Sequence, residues 1–332
     1  MKMNLNAPVL WGGGRNPRFP APWRSARIFL TSLWLLLAMA GCRSKTALDA
    51  NGVPYKLIVA VYQGDNPGET TVVLAKVKKY LETKLNMPVE FQQSTDYTTV
   101  IEAMVSGKVH MAYLSPFSYI LATQKQKLVP LVAPGFNGKP MSYRSIIITN
   151  PSTGLHSMDD VKARSHQLTL CFADPASTSG HLIPRAYLTS IGLDPKTAFK
   201  QTMFAGSHQA SLLSVKSGKT DLGCVFELMY DKMIREGVVK EGDVVRLWTS
   251  DPIVESPICM RPEVSPEFTE KVRQAFLAMP TDPLGHDAFH SYMSMYFPKQ
   301  ADSLSYITVN DSVYDGLRKI AAGIGDLTPT KK

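Results

Sequence analysis

Apolar residues along this chain recur in two rhythms that alternate. Short unbroken runs such as Leu57-Ile58-Val59-Ala60-Val61, Val109 to Leu114 and Leu222 to Phe226 read as buried strands. Between them lie stretches with apolar positions three or four apart, the spacing that buries one face of a helix. Thr70 to Leu85 is the clearest, with Val73, Val77, Leu81 and Leu85 on one side. The pattern predicts a strand at Lys56–Tyr62, that helix, and a short strand at Pro88–Phe91. Ser94-Thr95-Asp96 then caps a helix through Tyr97, Val100, Ile101 and Met104, stopped by Gly107. Val109–Leu114 follows as a strand. Ser115-Pro116, a capping serine with proline at the first helical position, opens a helix through Tyr119, Ile120 and Leu121. Strands at Leu128–Val132 and Arg144–Thr149 complete a first α/β unit.

The same order then returns. It runs through a short helix at Asp159–Val161, a strand at Leu168–Ala173 and a helix with Leu182, Ile183, Tyr187, Leu188 and Ile191 on one face. Next come a strand at Phe199–Phe204, a helix after Gly206-Ser207-His208, a strand at Leu222–Phe226 and a helix through Met229 and Met233. Strands at Val244–Trp248 and Pro257–Met260 follow. From Ser265 onward the pattern is helical: Phe268–Met279, Pro283–Phe297 and Ser312–Ile324. Strands alternating with helices predict an α/β fold of mostly parallel sheets with helices on both faces. Such sheets bind ligands beyond the carboxyl ends of their strands. Four predicted helix starts fall there: Asp96-Tyr97, Ser115-Pro116, Ser177-Thr178-Ser179 and Gly206-Ser207-His208. Two precede Thr149 and two follow it, as a cleft between two lobes requires.

Among these starts, Asp174-Pro175-Ala176-Ser177-Thr178-Ser179-Gly180 stands out, with three consecutive hydroxyls where a strand turns into a helix. The first N–H groups of a helix have no partner of their own, and the helix dipole favours negative charge. Hydroxyl donors beside them, and a glycine that admits close approach, can hold a tetrahedral oxyanion without a metal or an arginine. The plainer alternative is an N-cap followed by extra serines.

Composition changes this picture little. The 332 residues are 44% hydrophobic and 19% charged, an ordinary globular balance with room for two modest domains. The net charge of +8 suggests a polyanion partner until its distribution is read. Residues 1–42 hold five basic residues and no acid, and the remainder carries 31 basic against 28 acidic. The basic stretch runs through the apolar Ile28–Met39 segment to Ala40-Gly41-Cys42, the order of an export signal. Small residues directly before Cys42 resemble a bacterial lipobox, in which the cysteine is lipidated; Met39 departs from the branched aliphatic preferred there. Residues 1–42 are therefore expected to be a signal peptide and 43–54 a tether. Cys171, Cys224 and Cys259 each lie in an apolar run without metal-ligand spacing, as buried thiols do.

Other chemistry is weaker. Ser177, His208 and Asp174 invite a hydrolase triad, but the Gly-x-Ser-x-Gly elbow is not present around Ser177. His286 and His290 share an i, i+4 spacing without the HExxH pattern, which fits a solvated helix face. The run Tyr292-Met293-Ser294-Met295-Tyr296-Phe297 reads as core packing. Aromatic residues are not interleaved with Arg or Lys, so no nucleic-acid surface is expected.

Three segments together resemble the phosphonate/phosphite/phosphate-binding proteins of ABC importers. They are Thr95-Asp96-Tyr97 through Gly107-Lys108-Val109 to Ser115-Pro116-Phe117-Ser118-Tyr119, the 174–180 stretch with Pro184 and Tyr187-Leu188, and Gly206-Ser207-His208 through Lys216-Ser217-Gly218-Lys219 to Asp221. Their order and spacing are kept over roughly residues 55–320. The resemblance implies an exported, two-lobed periplasmic binding protein of type II fold and no enzymatic role. An enzyme on this fold, such as a pyrimidine-precursor synthase, is expected to lack the export signal. Lobe 1 is expected to span 55–145 plus 261–332, and lobe 2 146–260. Carried over residue by residue, the anion contacts fall on Tyr97, Ser115, Tyr143, Ser177, Thr178, Ser179 and His208. His208, at a helix start whose dipole disfavours the cation, is expected to be a neutral donor. Members of the family that take aminoalkylphosphonates hold the ammonium with acidic residues. Here the corresponding positions are Ser256 and Phe226, with Glu255 or Glu227 one residue away. The resemblance further implies a small phosphorus oxyanion as ligand, no cofactor or metal, and an ABC permease and ATPase complex as partner. It also implies a monomer in the periplasm or at the cell surface, held to the membrane by a lipid on Cys42. Presentation of the anion to a sensor kinase is the alternative.

Overall fold

The computed structural model describes residues 46–64 and 67–324. The expected signal segment, Met39 and Cys42 lie outside the described residues.

The first unit runs β1 (Leu57–Tyr62), α1 (Pro67–Leu85), β2 (Val89–Ser94), α2 (Tyr97–Val105), β3 (Met111–Tyr113), α3 (Pro116–Lys125) and β4 (Val129–Phe136). β4 turns back as β5 (Lys139–Pro140), and β6 (Ser142–Tyr143) leads out. Then come β7 (Ser145–Thr149), α4 (Met158–Arg164), β8 (Thr169–Phe172), a π-helical turn at Thr178–Leu182 and α5 (Ile183–Ser190). β9 (Gln201–Phe204), α6 (His208–Lys216), β10 (Leu222–Phe226), α7 (Glu227–Arg235) and β11 (Val245–Thr249) follow. The chain returns through β12 (Ile253–Val254) to β13 (Ile258–Met260), α8 (Pro266–Ala278), α9 (His286–Ser294), β14 (Leu304–Thr308) and α10 (Asp315–Gly323).

Two sheets result. The first has the order β14-β4-β13-β3-β1-β2, with β5 beside β4; the second has the order β11-β7-β10-β8-β9. Each is covered on both faces, so its strands bury both sets of side chains. In β7, Ile146 and Ile148 enter one apolar cluster and Ile147 the other. In β1, Leu57, Val59 and Val61 face the cluster around Tyr80 and Phe276, while Ala60 faces the one around Phe117 and Tyr314. These are the two lobes, and the α/β architecture has helices on both sides of each sheet. Most strands in a sheet run one way; β5, β13 and β14 oppose their neighbours in the first, and β7 in the second.

The chain passes between the sheets twice, through β6 and β12, and these two short strands pair with each other, Tyr143 opposite Ile253 and Ser142 opposite Val254. A two-stranded ribbon thus joins the lobes.

Three expectations need correction. The end of lobe 2 was expected at residue 260, yet β13 pairs with β3 and β4 in the first sheet. The reason is that β3 and β4 run the same way and leave between them a slot that a strand of opposite direction fills. The tail is not purely helical: β14 adds to the free edge of β4, burying Leu304 and Tyr306. Finally, residues 46–54 of the expected tether are folded onto lobe 1. Asp49 Oδ1 accepts the N–H groups of Asn51 and Val53, an Asx-type turn, and Thr46 N–H donates to Gly107 O at 2.9 Å.

Candidate functional site

All four predicted helix starts are capped in the same way. The side chain of Asp96 accepts from Thr99 N, Ser115 from Ser118 N, Ser177 from Gly180 N and Ser207 from Ala210 N. The first two belong to lobe 1 and the others to lobe 2, and a cavity of about 200 Å³ lies between the lobes. Tyr97, Ser115, Tyr143, Ser177, Thr178, Ser179 and His208 all line it.

The hydroxyl turn meets lobe 1 directly. Thr178 Oγ1 accepts the N–H of Phe117, in the first turn of α3, at 2.8 Å. Ser118 Oγ donates to Ala176 O at 3.0 Å, and Ser115 Oγ to the same oxygen at 3.3 Å. Asp174 accepts the N–H of Ala176 at 2.7 Å and that of Tyr97, the first residue of α2. Burial raises the Asp174 carboxyl against the pull of those two N–H groups. One turn of lobe 2 therefore satisfies the starts of both lobe 1 helices. Gly180 belongs to the same packing: a Cβ there would stand 2.4 Å from Ala173 Cβ and 2.8 Å from His208 Cε1, so no larger residue fits.

His208 has a fixed tautomer. The backbone N–H of Phe226 donates to its Nδ1 at 3.1 Å, so that nitrogen keeps its lone pair and the ring is neutral. The proton is then on Nε2, 3.2 Å from Ser177 Oγ. Ser177 Oγ also accepts from Gly180 N–H at 3.0 Å, which leaves its own O–H directed elsewhere. The triad reading fails on this geometry. The nitrogen facing Ser177 is a donor and cannot act as its base, and Asp174 is engaged by backbone amides instead of the imidazole.

Tyr143, buried at the ribbon, has its phenol pushed up by burial, with the hydroxyls of Thr178 and Ser179 as hydrogen-bond partners. Ser145 Oγ fixes Ser179 by donating to its carbonyl at 2.6 Å. Tyr62 stacks on Tyr97, ring centroids 4.1 Å apart, and extends that wall.

Several wall residues have no counterpart in the sequence-based site. Tyr292, Met293, Met295, Tyr296 and Phe297, expected as core, line the cavity, as do Tyr62 and Tyr113. Phe226, Glu255 and Ser256 are on the wall as well. His286 and His290 are far simpler: partly exposed, they flank Asp302, and no metal-holding cluster of three such groups occurs among the described residues. Cys171, Cys224 and Cys259 are buried free thiols.

The family described as "ABC transporter, phosphonate, periplasmic substrate-binding protein" matches residues 59–303. The chain belongs to this family. Its members are substrate-binding components of transporters and not enzymes. This phosphonate-type binding protein is 30% identical over 253 residues to the phosphate-import protein PhnD of Mycolicibacterium smegmatis, covering 73% of this chain and 77% of the relative. It also resembles a binding-protein component of a Pseudomonas aeruginosa ABC phosphonate transporter, with a TM-score of 0.71, 20% identity and 81% and 86% of the two chains covered. PhnD1 of Prochlorococcus marinus, solved in complex with methylphosphonate, superimposes with a TM-score of 0.70, 16% identity and 81% and 98% coverage. These structures carry the fold, and the family places the binding protein in the periplasm.

Proposed function

We propose that this binding protein captures a small phosphorus oxyanion, phosphonate, phosphite or phosphate, between its lobes and delivers it to an ABC permease and ATPase complex. The observation that carries this reading is the hydroxyl turn 177–179, set across one cavity from the capped starts of α2 and α3. The Mycolicibacterium relative is named for phosphate import and the Prochlorococcus neighbour was solved with methylphosphonate, both within this ligand class.

On this reading Ser177 and Ser179 donate from lobe 2 and Tyr97 from lobe 1, where Ser115 Oγ turns from Ala176 O to the anion. Tyr143 closes the site at the ribbon, Thr178 links the lobes, and His208 holds Ser177 in its donating orientation. Donors from both lobes favour the closed form by differential affinity. A micromolar site needs about 8 kcal/mol, and hydrogen bonds to a charged group contribute roughly 1.5–3 kcal/mol each, so several hydroxyls suffice without an arginine. Lobe 1 is taken as 55–145 plus about 256–332 and lobe 2 as the span between, the protein acting as a monomer anchored by a lipid on Cys42.

Calorimetry of the purified protein against phosphate, phosphite and methylphosphonate tests the reading. Saturable one-site binding of at least one of the three is expected. Absence of binding to all three, with a protein that unfolds cooperatively, contradicts it.

A further inference from the structure

Among the described residues, the cavity wall carries one acid and no lysine or arginine. The acid is Glu255, on the segment from β12 to β13, 7% exposed, with Oε2 accepting the N–H of Ser256 at 3.0 Å. Four phenols face it: Tyr113 from β3, Tyr143 from β6, Tyr292 from α9 and Tyr314 from the turn before α10. Burial pushes each of these phenols up, so all are neutral. Tyr62, Tyr97, Tyr296 and Tyr306 add further phenols to the wall, and His208 is neutral by its hydrogen bond from Phe226. Among the described residues no cation on the wall offsets a carboxylate, and burial, against the one N–H from Ser256, pushes the Glu255 carboxyl up to about 7.

Glu255 and the hydroxyl turn line the same cavity of about 200 Å³, and the phenol of Tyr143, with Thr178 and Ser179 as hydrogen-bond partners, feels the charge of Glu255. An oxyanion held by that turn shares this small cavity with the carboxylate. Two negative groups in one cavity with no cation among its described lining residues disfavour each other's ionisation, which favours retention of one proton by the pair. We propose that the site takes its oxyanion together with one proton, shared between Glu255 and an anion oxygen, so that binding is proton-coupled. Glu255 as the acid donates to the anion, or as the carboxylate it accepts from P–OH; the proton count is the same.

This rests on the phosphorus-oxyanion reading, and the experiment separates the two. Methylphosphonate, phosphate and phosphite are titrated into the purified protein at about pH 8.5, where both free partners have lost the proton. Buffers of different ionisation enthalpy are used, and the slope of observed heat against that enthalpy counts protons. Uptake close to one proton per anion is expected, with the apparent Kd weakening about tenfold per pH unit above neutrality. Glu255→Gln keeps the shape and removes the charge; it should bind with uptake near zero and a flat pH profile. Binding without proton uptake in the unaltered protein overturns the inference and leaves the ligand class standing. Uptake that persists in Glu255→Gln overturns it as well. Tight binding of 2-aminoethylphosphonate alone, without uptake, overturns it by making Glu255 an ammonium partner. Failure of every anion to bind defeats the functional reading itself. The proton count on the unaltered protein decides even if the variant does not fold.

Discussion

His208 donates its Nε2–H to Ser177 Oγ across 3.2 Å, and the backbone N–H of Phe226 on Nδ1 holds the ring in that tautomer. The imidazole thus acts on the ligand through the serine. Ser177→Ala should weaken anion binding by about 1–3 kcal/mol, and His208→Ala by a smaller amount. The double variant should lose little more than Ser177→Ala alone, because the two side chains act as one unit. A double-mutant cycle on measured Kd values checks this, and full additivity would mean that His208 contacts the anion independently.

Thr178 is a cap, but for the helix of the opposite lobe. Its Oγ1 accepts the N–H of Phe117 while its own proton reaches Tyr143. Thr178→Val should leave a buried N–H unpaired only where the lobes meet, weakening binding by about 1–3 kcal/mol. The midpoint of unfolding without ligand should move little, and Thr178→Ser should restore affinity. Calorimetry and a thermal melt on the same preparations check the division; a large fall in Tm with unchanged Kd would place the effect in folding.

How much of this was legible in the chain differs by element. Ser115-Pro116 and Asp96 announced their helices because capping is local chemistry, written within three residues. The hydroxyl triplet was visible for the same reason. The ribbon was not: β6 and β12 are two residues each, too short for any period, and they pair across more than a hundred residues. β14 was missed because its alternation, Leu304 and Tyr306 inward, is too brief to compete with the helical pattern on either side. Tyr292 to Phe297 carry a core pattern and also form a cavity wall, since periodicity shows which face is inward and not whether that face is filled. Glu255 is the hardest case, because one acid two residues before a proline looks like surface until the fold encloses it.

Acid should destabilise the fold through two buried histidines. Burial holds His110 and His181 down at about 4. His110 Nδ1 accepts the N–H of Ile58 at 3.0 Å and so must be neutral. Between about pH 6.5 and 4 the unfolded chain binds these protons and the folded one does not, so stability falls as pH falls. Glu255, raised to about 7, works in the opposite sense over much of the same window. The two histidines against Glu255 leave a loss on the order of 3 kcal/mol from about pH 7 to pH 4, which Asp174 and Glu227, also raised by burial, reduce. Urea unfolding across that range checks it. His110→Asn should make the profile shallower and Glu255→Gln steeper, whereas unchanged slopes in both would refute the assignment.

The order of basic, apolar and small residues ending at Ala40-Gly41-Cys42 predicts lipid attachment. Cys42→Ala should move the protein from the membrane fraction to the soluble one, or block maturation, with a change in intact mass. Unchanged fractionation and mass would show that Met39 defeats the lipobox.

Donors from both lobes are proposed to meet one phosphorus oxyanion at the hydroxyl turn. A crystal structure with methylphosphonate or phosphite bound tests it most directly. Anion oxygens are expected within hydrogen-bond distance of Ser177 Oγ and Ser179 Oγ from one lobe and of Tyr97 or Ser115 from the other, with Glu255 close by. An anion held by one lobe alone, or bound away from residues 177–179, would contradict it.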